Sequence, residues 1–188
     1  MTLLPALTVT FYFLIALVPV TSLAQAPSVA KPTAALQKPF VVIGIFARTN
    51  NSAESTGNGE IPKLWQRLFA EGVINRIPDR DGDSVYAVYT NYASDWNGDY
   101  TILLGVKVSP GTKPPEGMAV ITVPAGRYLE FVSAKGPGTE VVPKAWTQIW
   151  AYFQDPANPR RAYQADYERY DELSDPNAMQ AHIFMGVK

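Results

Sequence analysis

The chain contains no cysteine and only one histidine, His182. Without cysteine there is no disulfide framework and no thiolate nucleophile, so stability has to come from an apolar core. A lone histidine without cysteines also gives no ligand set for zinc. Charge is sparse: 16 Lys and Arg face 17 Asp and Glu in 188 residues, with no basic run. Neutralising phosphates takes clustered Lys and Arg, so nucleic acid is not expected as a partner. Other motifs are missing as well. No Gly-x-Ser-x-Gly elbow exists, and Gly57-Asn-Gly59 is not followed by a phosphate-loop pattern. Asp79-Arg-Asp-Gly-Asp83 resembles a calcium loop, but its Gly is misplaced and Thr90 stands where the twelfth-position Glu belongs. No metal and no cofactor are expected.

The first 26 residues have no charged side chain. Leu3 to Leu23 is almost wholly apolar and is followed by Ala24-Gln25-Ala26, a small-x-small pattern. Residues 1–26 are therefore expected to be a signal peptide for export to the periplasm or beyond, although the usual n-region Lys or Arg is absent. The apolar run also reaches the ~20 residues that span a bilayer, so contact with a membrane through a retained anchor stays open. Residues 27–38, with Pro27 and Pro32 among Ala, Ser and Thr, read as a flexible linker. Residues 39–188 are long enough for one domain with its own core.

Within that domain the hydrophobic period switches regularly. Pro39 to Ala47, Val85 to Tyr92, Tyr100 to Val108, Ala119 to Pro124, Arg127 to Ser133, Tyr167 to Tyr170 and Gln180 to Val187 read as strands. Asn97-Gly98 signals a hairpin turn. Helical spacing occurs twice, over Ile61 to Ala70 and over Val141 to Phe153, while Asn50 to Gly59 reads as a loop. The two halves match at a constant offset of 81 residues. Pro62-Lys63 falls on Pro143-Lys144, Trp65 on Trp146, Tyr86 on Tyr167, Tyr89 on Tyr170, and Gly105-Val106-Lys107 on Gly186-Val187-Lys188. The expected fold is α+β: two duplicated β-α-β-β units form one antiparallel sheet, with both helices on one face and a central ligand cleft in the open face between the halves.

Strand alternation through Asp166-Tyr-Glu-Arg-Tyr170 puts Asp166, Glu168 and Tyr170 on one face, with Tyr167 and Arg169 on the other. The repeat mate of Glu168 is Ala87, so one half carries a carboxylate where the other carries a methyl group. A carboxylate among aromatics is partly desolvated, which suits a cation trap and also a general base. Tyr89, Trp96, Tyr128, Trp146, Trp150 and Tyr170 are the candidate walls. Trp65 and Trp146 also fit a helix–sheet core.

The duplicated units, with Val123-Pro-Ala-Gly-Arg-Tyr128, Ile61-Pro-Lys-Leu-Trp65 and Asp166-Tyr-Glu-Arg-Tyr170, resemble the effector-binding domain of bacterial transcription activators. That fold is also called GyrI-like or SOUL/GyrI-like, and the stand-alone integron-associated effector-binding proteins are the most similar members. The likeness covers roughly Pro39 to Lys188. It implies capture of a lipophilic, often cationic or aromatic, small molecule, neutralised by a glutamate at the position of Glu168. The ligand-binding set is then Glu168, Tyr89, Tyr170, Tyr128, Trp146 and Trp96. The leader, and the lack of a DNA-binding module before Pro39, speak against a regulator or a gyrase modulator. Two alternatives stay open: a hydrolase of electrophilic compounds using Glu168 as base or acid, and an envelope module whose cleft receives a partner's peptide.

Overall fold

A computed structural model describes residues 31–57 and 59–188. The expected signal peptide and the first residues of the expected linker lie outside the described residues.

The described chain runs β1 (Thr33–Gln37), β2 (Phe40–Thr49), α1 (Asn51–Ser55), α2 (Ile61–Ala70), α3 (Val73–Arg76), β3 (Arg80–Thr90) and β4 (Tyr100–Val108). It continues with β5 (Ala119–Val123), β6 (Gly126–Val132), α4 (Gly138–Gln154), β7 (Ala165–Tyr170) and β8 (His182–Gly186). All eight strands form one sheet in the order β1-β6-β8-β7-β3-β4-β2-β5, and every pairing is antiparallel. The α+β class, the single antiparallel sheet and the two helices on one face are as expected.

Two differences from the sequence reading matter. Residues 33–37, expected as part of a flexible linker, are strand β1, held by β6 from Thr33 opposite Glu130 to Gln37 opposite Gly126. The expected loop after β2 contains helix α1, capped by the Asn50 side chain on the Ala53 N–H. Its Glu54 carboxylate accepts from the Thr49 hydroxyl and from the Glu60 N–H, at the entry to α2. An anion is favoured there by the exposed N–H groups of the helix start. Gly72, at φ 57, ends α2 in the left-handed conformation that glycine adopts without strain.

The repeat unit also grows by one strand. Each half is β-β-α-β-β, and its leading strand is laid on the other half: β1 on β6, and β5 on β2. Phe40 faces Val123 and Gly44 faces Ala119, in the same register that pairs Gln37 with Gly126. Thus β1–β2 and β5–β6 are two long antiparallel ribbons, interrupted only at Lys38-Pro39 and Pro124-Ala125. Proline has no N–H for a ladder, and it stands at the break in both.

These short links force the sheet to curl. In a flat sheet β1 and β2 would lie six strand spacings apart, roughly 29 Å. Two linking residues span at most about 11 Å between flanking Cα atoms. The sheet therefore wraps round until its two ends share the ribbons. Side chains of one parity, including Val42, Tyr86, Val88, Leu103, Val123, Tyr128, Tyr167 and Phe184, are buried inside the curl. Tyr167 stacks on Phe184 at 4.6 Å between ring centroids, and Phe40 reaches Tyr167 across the interior at 5.2 Å.

The other parity faces outwards, and both long helices cover it. Leu64 and Leu68 of α2, with Ala145 and Ile149 of α4, pack on Ile43, Ile45, Ala87, Ile102, Leu104, Ile183 and Met185. Burying a Leu or Ile side chain contributes about 1.5–3 kcal/mol, so this layer carries much of the stability.

Candidate functional site

The site follows from the central strand pair. In β3·β7, Ala87 lies directly opposite Glu168, flanked by Val85 opposite Tyr170 and Tyr89 opposite Asp166. Ala87 and Glu168 are also mates in the 81-residue repeat. Two residues that are both repeat mates and cross-strand partners must flank the pseudo-twofold axis. The single carboxylate therefore sits at the centre of symmetry of the domain. Four strands lie on each side of it.

Glu168 points into the helix-covered face rather than the open face where the cleft was expected, because α4 brings Trp146 onto its carboxylate, and it is only 1% exposed. The mates Tyr89 and Tyr170 both donate to it, Tyr89 to Oε1 at 3.0 Å and Tyr170 to Oε2 at 2.7 Å. Trp146 of α4 adds its indole N–H to Oε1 at 2.5 Å. Trp65 and Trp146 cross over: Trp65 sits edge-on to Tyr170, and Trp146 edge-on to Tyr89, each at 5.2 Å between centroids. Each tryptophan thus packs on the tyrosine of the other half, as a twofold requires. The two contacts differ in angle, 88° against 67°.

Among the described residues no Lys, Arg or His pairs with Glu168. Burial pushes its carboxyl above the ordinary glutamate value, and the Tyr170, Trp146 and Tyr89 donors pull the other way without cancelling it. Burial and the neighbouring carboxylate hold the Tyr89 and Tyr170 phenols well above their ordinary value, so both keep their protons to donate.

A second buried carboxylate lies two residues away on the same face. Asp166 accepts from Arg161, from the Tyr92 hydroxyl at 2.7 Å and from the Gly186 N–H at 2.8 Å. The Arg161 guanidinium lies over the Tyr163 ring, 4.3 Å from its centroid. This charge is compensated inside the fold, whereas that of Glu168 is not.

The structure brings Glu168, Tyr89, Tyr170 and Trp146 together and leaves two expected residues out. Tyr128 lies on the opposite face, inside the curl, with its ring 5.6 Å from Tyr167 and its hydroxyl on the Pro124 carbonyl. Both parities of Tyr128-Leu-Glu-Phe-Val132 carry apolar residues, Tyr128 and Val132 on one and Leu129 and Phe131 on the other, so alternation alone does not say which face meets the helices. Trp96 is 48% exposed on the β3–β4 loop, where its carbonyl accepts from Asn51. Trp65 joins this cluster through Tyr170, although helical spacing also fits it to the core; its repeat match to Trp146 is the signal for it in the sequence. Trp150 lies behind Trp146 at 6.2 Å.

The profile of the integron-associated effector binding proteins matches residues 37–187. The chain belongs to this family. YobU of Bacillus subtilis (strain 168), which is named as a transcriptional regulator protein, is 31% identical over 147 residues, covering 77% of this chain and 90% of YobU. The solved integron cassette protein VCH_CASS2 of Vibrio cholerae superposes with a TM-score of 0.66 at 26% identity, over 84% of this chain and 95% of its own. SAV2435, solved bound to tetraphenylphosphonium, shares the fold with a TM-score of 0.69 at 18% identity, over 85% and 94% of the two chains. Effector-binding membership supports a small-molecule binding domain, and the curled GyrI-like sheet agrees with the architecture expected from the repeat.

Proposed function

We propose that this domain captures a lipophilic cation, with Glu168 neutralising the charge and Tyr89, Tyr170, Trp146 and Trp65 supplying contact area. One observation carries the reading: a buried carboxylate held by neutral donors alone. Leaving a charge unpaired in a low-dielectric interior is costly, and a cationic ligand offsets that cost. Aromatic faces add about 2 kcal/mol for a desolvated cation, and apolar ligand surface adds about 25 cal/mol per Å². The Trp146 N–H now occupies one carboxylate oxygen, so the ligand takes the place of that donor. The fold accommodates a ligand of this chemistry in SAV2435.

The same proposal places the domain outside the cytoplasm, on the strength of the apolar leader and Ala24-Gln25-Ala26 alone. The mass of the mature N-terminus tests that part, with an intact Met1 counting against cleavage.

Binding is tested with ethidium, a fluorescent lipophilic cation, against the wild type and Glu168→Gln. Removing one partner of a buried charge pair costs about 2–5 kcal/mol, so affinity is expected to fall at least about thirtyfold. Affinity left unchanged by the substitution refutes the cation trap. Turnover of an electrophilic ester that vanishes in the same variant favours the hydrolase reading instead.

A further inference from the structure

We infer that the ligand is a monocation whose charge lies at its centre, between two equivalent aromatic arms; this rests on the capture proposed above. The pseudo-twofold of the domain dictates this shape. Glu168 and Ala87 flank the pseudo-twofold axis, so the attractive charge is central rather than at one end of the site. Tyr89 and Tyr170, related by the axis, hold the carboxylate from both sides. Trp65 and Trp146, also related by it, stand on those tyrosines at equal centroid distances of 5.2 Å. An aromatic arm extending from a central cation towards α2 meets Trp65 on Tyr170, and an arm extending towards α4 meets Trp146 on Tyr89.

A ligand with its charge at one end cannot use both halves. Seating its charge on Glu168 sends its whole aromatic body to one side and leaves the other tryptophan unused. Centring its body instead moves the charge off the axis, and Coulomb attraction falls with distance. Asp166, the other buried carboxylate among the described residues, is already paired with Arg161, so a second buried positive charge finds no carboxylate free on that strand.

Two isomers separate these cases. Dibenzyldimethylammonium carries its charge between two equal arms. Para-phenylbenzyl-trimethylammonium has the same formula, the same charge and two rings, with the charge at one end. Titration calorimetry on the purified wild-type protein is expected to show the central isomer binding about tenfold tighter or more. Trp65→Ala and Trp146→Ala should each weaken it, since each removes the ring that one arm meets. Equal affinities, or tighter binding of the end-charged isomer, overturn the inference. If both isomers then lose affinity in Glu168→Gln, capture stands without the symmetry. If neither is affected by Glu168→Gln, or neither binds the wild type, both readings fall.

Discussion

Tyr170→Phe removes a hydroxyl that donates to a buried carboxylate at 2.7 Å, and the ring that packs against Trp65 remains. The cost depends on whether Glu168 is charged. A hydrogen bond to an ionised group contributes about 1.5–3 kcal/mol, and one between neutral groups about 0.5–1.5 kcal/mol. Burial raises the Glu168 carboxyl above its ordinary 4.5, so folding favours the protonated acid. That contribution to stability is present below the ordinary value and is lost as pH rises through the folded one. The Tyr170 hydroxyl opposes the rise, so removing it steepens the loss. Urea unfolding of wild type and Tyr170→Phe should therefore differ by about 1 kcal/mol near pH 4 and by about 2 kcal/mol near pH 9. Tyr89→Phe should show the same trend with a smaller amplitude, its contact being longer at 3.0 Å. A difference that is the same at both pH values, or larger at the lower one, refutes the idea that an ionised Glu168 organises the cluster.

Other parts of the molecule give separate tests. Arg161→Met strips Asp166 of its cation in a fully buried setting and should lower unfolding stability by about 3–5 kcal/mol; a loss under 1 kcal/mol contradicts the pairing. Gly105 pairs directly with Gly44, and a Cβ built on it would lie 1.9 Å from the Ile43 carbonyl oxygen. Gly105→Ala should therefore open the curl between β2 and β4, lowering the melting temperature by roughly 10 °C or more, and an unshifted transition counts against the close approach. Tyr128→Phe loses only the bond to the Pro124 carbonyl, made by a phenol that burial pushes up to about 12. It should cost about 1 kcal/mol of stability and leave ethidium affinity unchanged; weaker binding would return Tyr128 to the site.

Much of this arrangement was legible in the sequence because it repeats. The constant offset matched Tyr89 to Tyr170 and Trp65 to Trp146, and strand parity put both tyrosines on the face of Glu168. The axis was implicit in the offset but needed the register, since only the pairing shows that Ala87 faces its own mate. What stayed hidden depends on distant partners. Thr33-Ala-Ala-Leu-Gln37 has weak strand character and sits beside a proline; it becomes a strand because β6, far along the chain, offers it a ladder. Arg161 gave no signal at all. It meets Asp166 because the segment after α4 turns back along the end of β8, where Ala162 donates to the Gly186 carbonyl.

The exchange of leading strands gives the duplication a chemical meaning. A half-length chain of the form β-β-α-β-β would leave one edge bare and one strand outstretched, and two identical copies would close each other by swapping. In such a pair any residue next to the twofold faces its own copy. A glutamate there would always come as two carboxylates side by side, repelling one another and sharing the same donors. Joining the copies into one polypeptide lifts that restriction, because each half can then change alone. Ala87 opposite Glu168 is the result: one carboxyl group at the middle of a twofold scaffold, where a pair of identical subunits would place two that have to share a proton.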